Sequence, residues 1–217
     1  MQMKLQSRPE LFLLLSLLLV ILIYPVLDHE GLRRLVLGLL MFVPVILATF
    51  RLSQTKGWVL PSVLLMSGAS LLSLASTLFP NRVLIGMKWV ALAAFFALTV
   101  VGLFSYLRKA RTILTAHLYT AVSIYLLLGM QWFAVYSAID VFRPGSFLFN
   151  RATIVDRQSE LLYFSLVTLS TIGYGDIVPL DSEVRMLAAL EGVTGVLYVA
   201  ITVALLVSAY KVSAAQE

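Results

Sequence analysis

Thr168-Leu169-Ser170-Thr171-Ile172-Gly173-Tyr174-Gly175-Asp176 continues from the end of a short apolar segment, Leu161 to Leu169, and precedes Pro179 and a long apolar run. Two glycines stand two residues apart. Glycine takes left-handed backbone angles without a steric penalty, so alternating it with ordinary residues can aim successive carbonyls in one direction. A short apolar helix that enters a membrane and stops, followed by non-helical backbone, is tolerated only where that backbone is buried in protein or lines water. A row of carbonyls facing an aqueous path is a ladder of oxygen ligands for a dehydrated hard cation. One chain supplies one oxygen per level, which cannot replace a hydration shell. Several copies around an axis can.

The sequence around this strip is that of a membrane protein. Of 217 residues, 60% are hydrophobic and 12% charged, and the mean hydropathy is +0.96. Soluble domains carry about 25% charged residues, and disordered chains need low hydrophobicity and high net charge, so both classes are excluded. A bilayer-spanning helix takes about 20 apolar residues. Six runs approach that length: Leu11 to Leu27, Leu35 to Phe50, Trp58 to Phe79, Val83 to Leu107, Ile113 or Leu118 to Ile139, and Val184 to Tyr210. Ser159 to Ser170 is too short to cross. The expected fold is therefore all-α, with six transmembrane helices, one re-entrant pore helix and an extended filter strip. The first run ends in Tyr24-Pro25-Val26-Leu27-Asp28 with no small-residue cleavage site, and is read as a retained span rather than a signal peptide. Small residues in the third run, Ser67, Gly68, Ala69, Ser70, Ser73 and Ser76, predict close packing against neighbouring helices.

The net charge is +5. The basic residues are scattered between apolar runs, which marks loops and interfaces rather than a nucleic-acid surface. Absence of cysteine removes disulfides, thiolate chemistry and cysteine metal sites. With a cytoplasmic N-terminus, Lys and Arg divide evenly between the two sides, so the positive-inside rule gives no orientation.

On the strip and its setting, the chain resembles the tetrameric potassium-channel family, with Thr171-Ile172-Gly173-Tyr174-Gly175-Asp176 in the place of the family's selectivity filter. The resemblance covers about Leu118 to Tyr210. It implies a homotetramer in which the carbonyls of Thr171, Ile172, Gly173 and Tyr174, with the Thr171 hydroxyl, coordinate K⁺ as the permeant ion, without organic cofactor. It implies that Gly175 completes the filter, that Tyr174 points away from the axis and that Asp176 sits at the outer mouth. Isoleucine replaces the usual valine at 172; both are β-branched and the ligand is a backbone oxygen, so the exchange is expected to be nearly silent. The filter opens outward, which puts both termini in the cytoplasm of a cell membrane, plasma or bacterial inner, if six spans are present. Residues 118–217 then form the pore domain, 108–117 an interfacial linker, and 1–107 a four-helix unit like a voltage sensor without sensing charges. Arg82 and Lys88 are followed by nineteen uncharged residues, 89–107, before Arg108. Weak or absent voltage dependence follows. The cluster Arg108-Lys109-Ala110-Arg111 is a cytoplasmic interfacial linker that can meet anionic membrane lipids.

In the last span, Gly192 and Gly195 admit two readings, close packing or a gating hinge, with Gly195 the better match to the family's mid-helix glycine. Val199 and Val203, one turn apart, would line the cavity below the filter. Glu191 is an intramembrane carboxylate, a functional candidate, whose plainer reading is a structural hydrogen bond to the back of the pore helix. The family's carboxylate behind the filter has no counterpart, since Val167 stands there. His29 and His117 read as solvated interface residues without a spaced metal partner. Arg143 to Arg157 reads as a solvated outer turret. An intramembrane enzyme would need acid, base or nucleophile groups facing one cavity, and the polar residues are too scattered. A non-conducting or sensing subunit that retains the pore motif is the remaining alternative. The seven residues after Tyr210 predict no cytoplasmic ligand-binding domain.

Overall fold

The computed structural model describes residues 8–24, 59–108, 115–150 and 156–214. Its elements are α1 (Arg8–Ile23), α2 (Val59–Leu78), α3 (Arg82–Arg108), α4 (Thr115–Phe142), β1 (Phe147–Phe149), α5 (Arg157–Leu169), β2 (Ile177–Pro179) and α6 (Ser182–Ala214). Apolar runs become helices because, out of water, only internal hydrogen bonding satisfies the peptide groups. Among the described residues, four helices are long and apolar enough to cross a bilayer: Leu60–Leu78, Arg82–Arg108, Thr115–Phe142 and Ser182–Ser208. The first expected span is the shorter α1 of 16 residues. The expected second span, residues 35–50, lies outside the described residues, as does the basic linker beyond Arg108.

The chain divides into two compact units, one of residues 1–62, 98–127 and 198–217, the other of 63–97 and 128–197. In the first, Leu13, Leu17, Val20, Leu103, Ile124 and Leu127 are buried. The Tyr198 hydroxyl donates to the Ala121 carbonyl at 2.6 Å. His117, expected in solvent, is buried and stacks on Tyr106 at 5.4 Å, because α4 starts at Thr115 and carries it into the helix.

The second unit holds the strip. Its aromatic core groups Tyr136, Phe147 and Phe164 at ring separations of 5.2 to 5.7 Å, and Trp89 meets Phe133 edge-on at 5.1 Å. Edge-to-face pairs add about 0.5–1.5 kcal/mol beyond area burial. The turret is not simply a loop. β1 pairs antiparallel with β2, Phe147 opposite Pro179 and Phe149 opposite Ile177, because Phe147 is drawn into the aromatic core and leaves its neighbours' peptide groups to pair. Of the small residues in the third run, Ala69 is buried, while a β-carbon on Gly68 would meet nothing within 4 Å. The hydroxyls of Ser67, Ser70 and Ser76 donate to carbonyls of their own helix, which satisfies them without a partner helix.

Candidate functional site

α5 has 13 residues, about 20 Å, well short of the roughly 30 Å hydrocarbon core. Asp156 caps its start, accepting from the Ser159 backbone N–H at 2.8 Å. Arg157 next to it pairs with Asp140 at 2.6 Å and lies 4.8 Å over the Phe149 ring. At the other end, the Thr171 N–H donates to the Thr168 carbonyl at 2.9 Å and the Ile172 N–H to the Val167 carbonyl at 3.0 Å. With φ of 59° at Thr171, this is the Schellman ending of a helix, Thr171 occupying the left-handed position where glycine is usual. The strip therefore begins as the cap of α5. A β-branched residue there costs about 1–2 kcal/mol relative to glycine.

Left-handed angles recur at every second residue: Thr171 at 59°, Gly173 at 58° and Gly175 at 78°. Thr171 to Gly175 are all exposed in the single chain, Ile172 at 54% and Tyr174 at 69%. The Tyr174 ring lies parallel to that of Tyr163 on α5, 6.4 Å away. The far end of the strip is held by the β1 segment. The Asn150 N–H donates to the Asp176 carbonyl at 2.9 Å and the Leu180 N–H to the Ser146 carbonyl at 2.8 Å, while the Ser146 Oγ lies 2.7 Å from Asp181 Oδ2 and 2.8 Å from the Arg143 carbonyl oxygen. Arg143 pairs with Glu183, which raises the guanidinium above its usual range through that hydrogen bond; both side chains are exposed, where such pairs contribute little.

Behind the strip, α6 presses on the end of α5. A β-carbon on Gly195 would overlap the Leu169 carbonyl oxygen and lie 3.0 Å from the carbonyl carbon. At Gly192 it would meet the Thr168 carbonyl at an ordinary 3.6 Å. Thr171, Ala189, Gly192, Val193, Val196 and Leu197 line an apolar cavity of about 350 Å³. Glu191 is fully buried. Its Oε2 accepts from the Tyr136 hydroxyl at 2.6 Å, and its Oε1 is 2.6 Å from the Ser165 Oγ on α5. Glu191 thus reaches both α4 and α5.

The structure thus brings Thr171 to Asp176, Gly192 and Gly195 together in one unit. Val199 and Val203, half exposed and one turn apart, belong to the other. Sequence reasoning passed over Asn150, Ser146, Ser165 and Tyr136. The one signal for the first two was Phe147-Leu148-Phe149, an apolar triplet inside an otherwise polar turret. Among the described residues no group of three or more His, Cys, Asp or Glu side chains could hold a metal ion.

Residues 112–211 match a family model described as "Ion channel". No curated protein and no solved structure matches the chain. The match covers α4 through most of α6 and supports an ion channel family, and with it ion channel activity, for this part. Together with the four apolar helices it supports an integral membrane protein.

Proposed function

We propose that four copies of this chain form a potassium-selective channel that conducts K⁺ passively. One observation carries the reading: Thr171 to Gly175 is irregular backbone, exposed in the single chain, with a left-handed angle at every second residue. In hydrocarbon its unpaired peptide groups would each cost several kcal/mol. Facing an axial water path shared with three other copies, the same groups become ligands. The carbonyls of Thr171, Ile172, Gly173 and Tyr174 and the Thr171 hydroxyl would replace the hydration shell of K⁺, and ions would pass between sites by mutual repulsion. Thr171 supports this by its own discomfort. Glycine would cap α5 with less strain, so threonine at that position is accounted for by its hydroxyl.

In this reading the carbonyl end of α5 points its negative dipole at the central cavity and favours a cation there. Val199 and Val203 line that cavity, and Asp176 stands at the outer mouth. Gating flexure falls to Gly192 or Gly195, and the seat of Gly195 on Leu169 ties any bend there to the filter. Six spans would place both termini in the cytoplasm. Purified protein reconstituted in lipid vesicles tests the reading by single-channel recording in opposed K⁺ and Na⁺ gradients. The expected result is a reversal potential near that of K⁺; equal passage of both ions, or no current, overturns it.

Voltage should have little effect. Each charge moved through the field gains about 2.3 kcal/mol per 100 mV, and α3 has no charge from 89 to 107. Arg82 is occupied elsewhere: its Nε and Nη2 donate to the Val141 and Phe142 carbonyls at 2.6 Å, closing the end of α4. Conductance measured against voltage is expected to be nearly flat. A steep sigmoid equivalent to several gating charges would contradict this.

A further inference from the structure

The buried polar group behind the filter has a proton count that decides its chemistry. The Ser165 Oγ lies 2.8 Å from the Gly129 carbonyl oxygen and 2.6 Å from Glu191 Oε1. Serine has one hydroxyl proton. A carbonyl oxygen cannot donate. If serine gives its proton to Glu191, two bare oxygens face each other at 2.8 Å. If it gives the proton to Gly129, the 2.6 Å contact needs a proton from Glu191. The Tyr136 hydroxyl supplies its only proton to Oε2. One arrangement therefore satisfies all three contacts: Tyr136 donates to Glu191 Oε2, Glu191 donates from Oε1 to Ser165, and Ser165 donates to Gly129. Burial favours the same state, because Tyr136, Ser165 and Glu191 are each about 1% exposed or less. No ion pair to Glu191 exists among the described residues. An ionised carboxylate in such a place lacks the partner it needs.

We infer that Glu191 is held as a neutral carboxylic acid whose donated hydrogen bond to Ser165 positions α5, and with it the filter strip. The bridge joins three helices of one unit, with Gly129 and Tyr136 on α4, Ser165 on α5 and Glu191 on α6. Ser165 lies six residues before Thr171, so a turn of α5 about its axis swings the strip directly. Glu191 is a positioning residue and touches no ion. The part of the inference that concerns the filter rests on the channel reading above.

Two measurements on the reconstituted full chain test it. Infrared spectroscopy at neutral pH is expected to show the C=O band of a protonated carboxylic acid in the wild type and its loss in Glu191→Gln. Reversal potentials then read the positioning. Glu191→Gln, whose amide donates to Ser165 and accepts from Tyr136, is expected to keep the wild-type K⁺/Na⁺ permeability ratio. Glu191→Ala and Ser165→Ala leave buried hydroxyl or carboxyl groups unpaired and are expected to lower that ratio roughly tenfold. The inference is overturned by absence of the band, by Glu191→Gln falling as far as Glu191→Ala, or by Glu191→Ala retaining full discrimination. If the wild type itself fails to discriminate, the channel reading fails and the filter-positioning claim with it, while the band still decides the neutral acid.

Discussion

Gly173→Ala is expected to abolish selective conduction. Gly173 has φ of 58°, and a β-carbon placed on it would meet nothing within 4 Å. Space is not the obstacle; the backbone angle is. A left-handed angle costs a residue with a β-carbon about 1–2 kcal/mol. In the proposed tetramer four copies would hold it together, so the aligned strip is disfavoured by about 4–8 kcal/mol, roughly a thousandfold or more. The reversal potential in opposed K⁺ and Na⁺ gradients measures the outcome. Gly68→Ala is the control, since that glycine sits in a helix with open space around it. Alanine is the better helix former there by about 1 kcal/mol, and conduction should be unchanged. Normal K⁺/Na⁺ discrimination in Gly173→Ala would falsify the carbonyl assignment.

Gly195→Ala is expected to be the next most damaging change, for the opposite reason. Gly195 is an ordinary helical residue, and its angle suits alanine. What resists is the Leu169 carbonyl, which the new methyl group would overlap. That carbonyl is backbone at the end of α5, two residues before Thr171, and cannot rotate away as a side chain could. Overpacking of this kind costs about 1–3 kcal/mol, and relief of it displaces the start of the strip. The variant is expected to lose most K⁺/Na⁺ discrimination and to melt earlier in detergent than the wild type. Gly192→Ala, with its 3.6 Å approach to the Thr168 carbonyl, should do neither. Equal behaviour of the two alanine variants would show that the contact on Leu169 has no functional weight. The pair also separates packing from hinge motion: a hinge glycine replaced by alanine changes the open fraction and leaves selectivity intact.

Much of the site could be read from residue order. The half-length of α5, the alternating glycines and the two flanking apolar runs are all local patterns. Hydrophobic run length also located α2, α3, α4 and α6 to within four residues at each end, because a helix in lipid must satisfy its peptide groups within itself. The errors have a common cause. By residue order Phe147-Leu148-Phe149 belongs to a solvated turret, yet Phe147 joins a core supplied by Tyr136 and Phe164. By residue order His117 faces solvent, yet Tyr106 stacks on it. Each mistake concerned which distant residue stands opposite.

What the residue order determined on its own was the membrane class, the position of the strip and the type of backbone it needs. Those follow from composition and from the conformational freedom of glycine, neither of which depends on a neighbour far along the chain. What only the tertiary structure decided was how the strip is held: Thr171 as the left-handed cap of α5, Asn150 on Asp176, Leu169 seated on Gly195, and the Tyr136, Glu191 and Ser165 bridge behind. A hydrogen bond or a van der Waals contact between residues 26 or 55 positions apart exists only once the intervening helices have packed, and no local pattern encodes it.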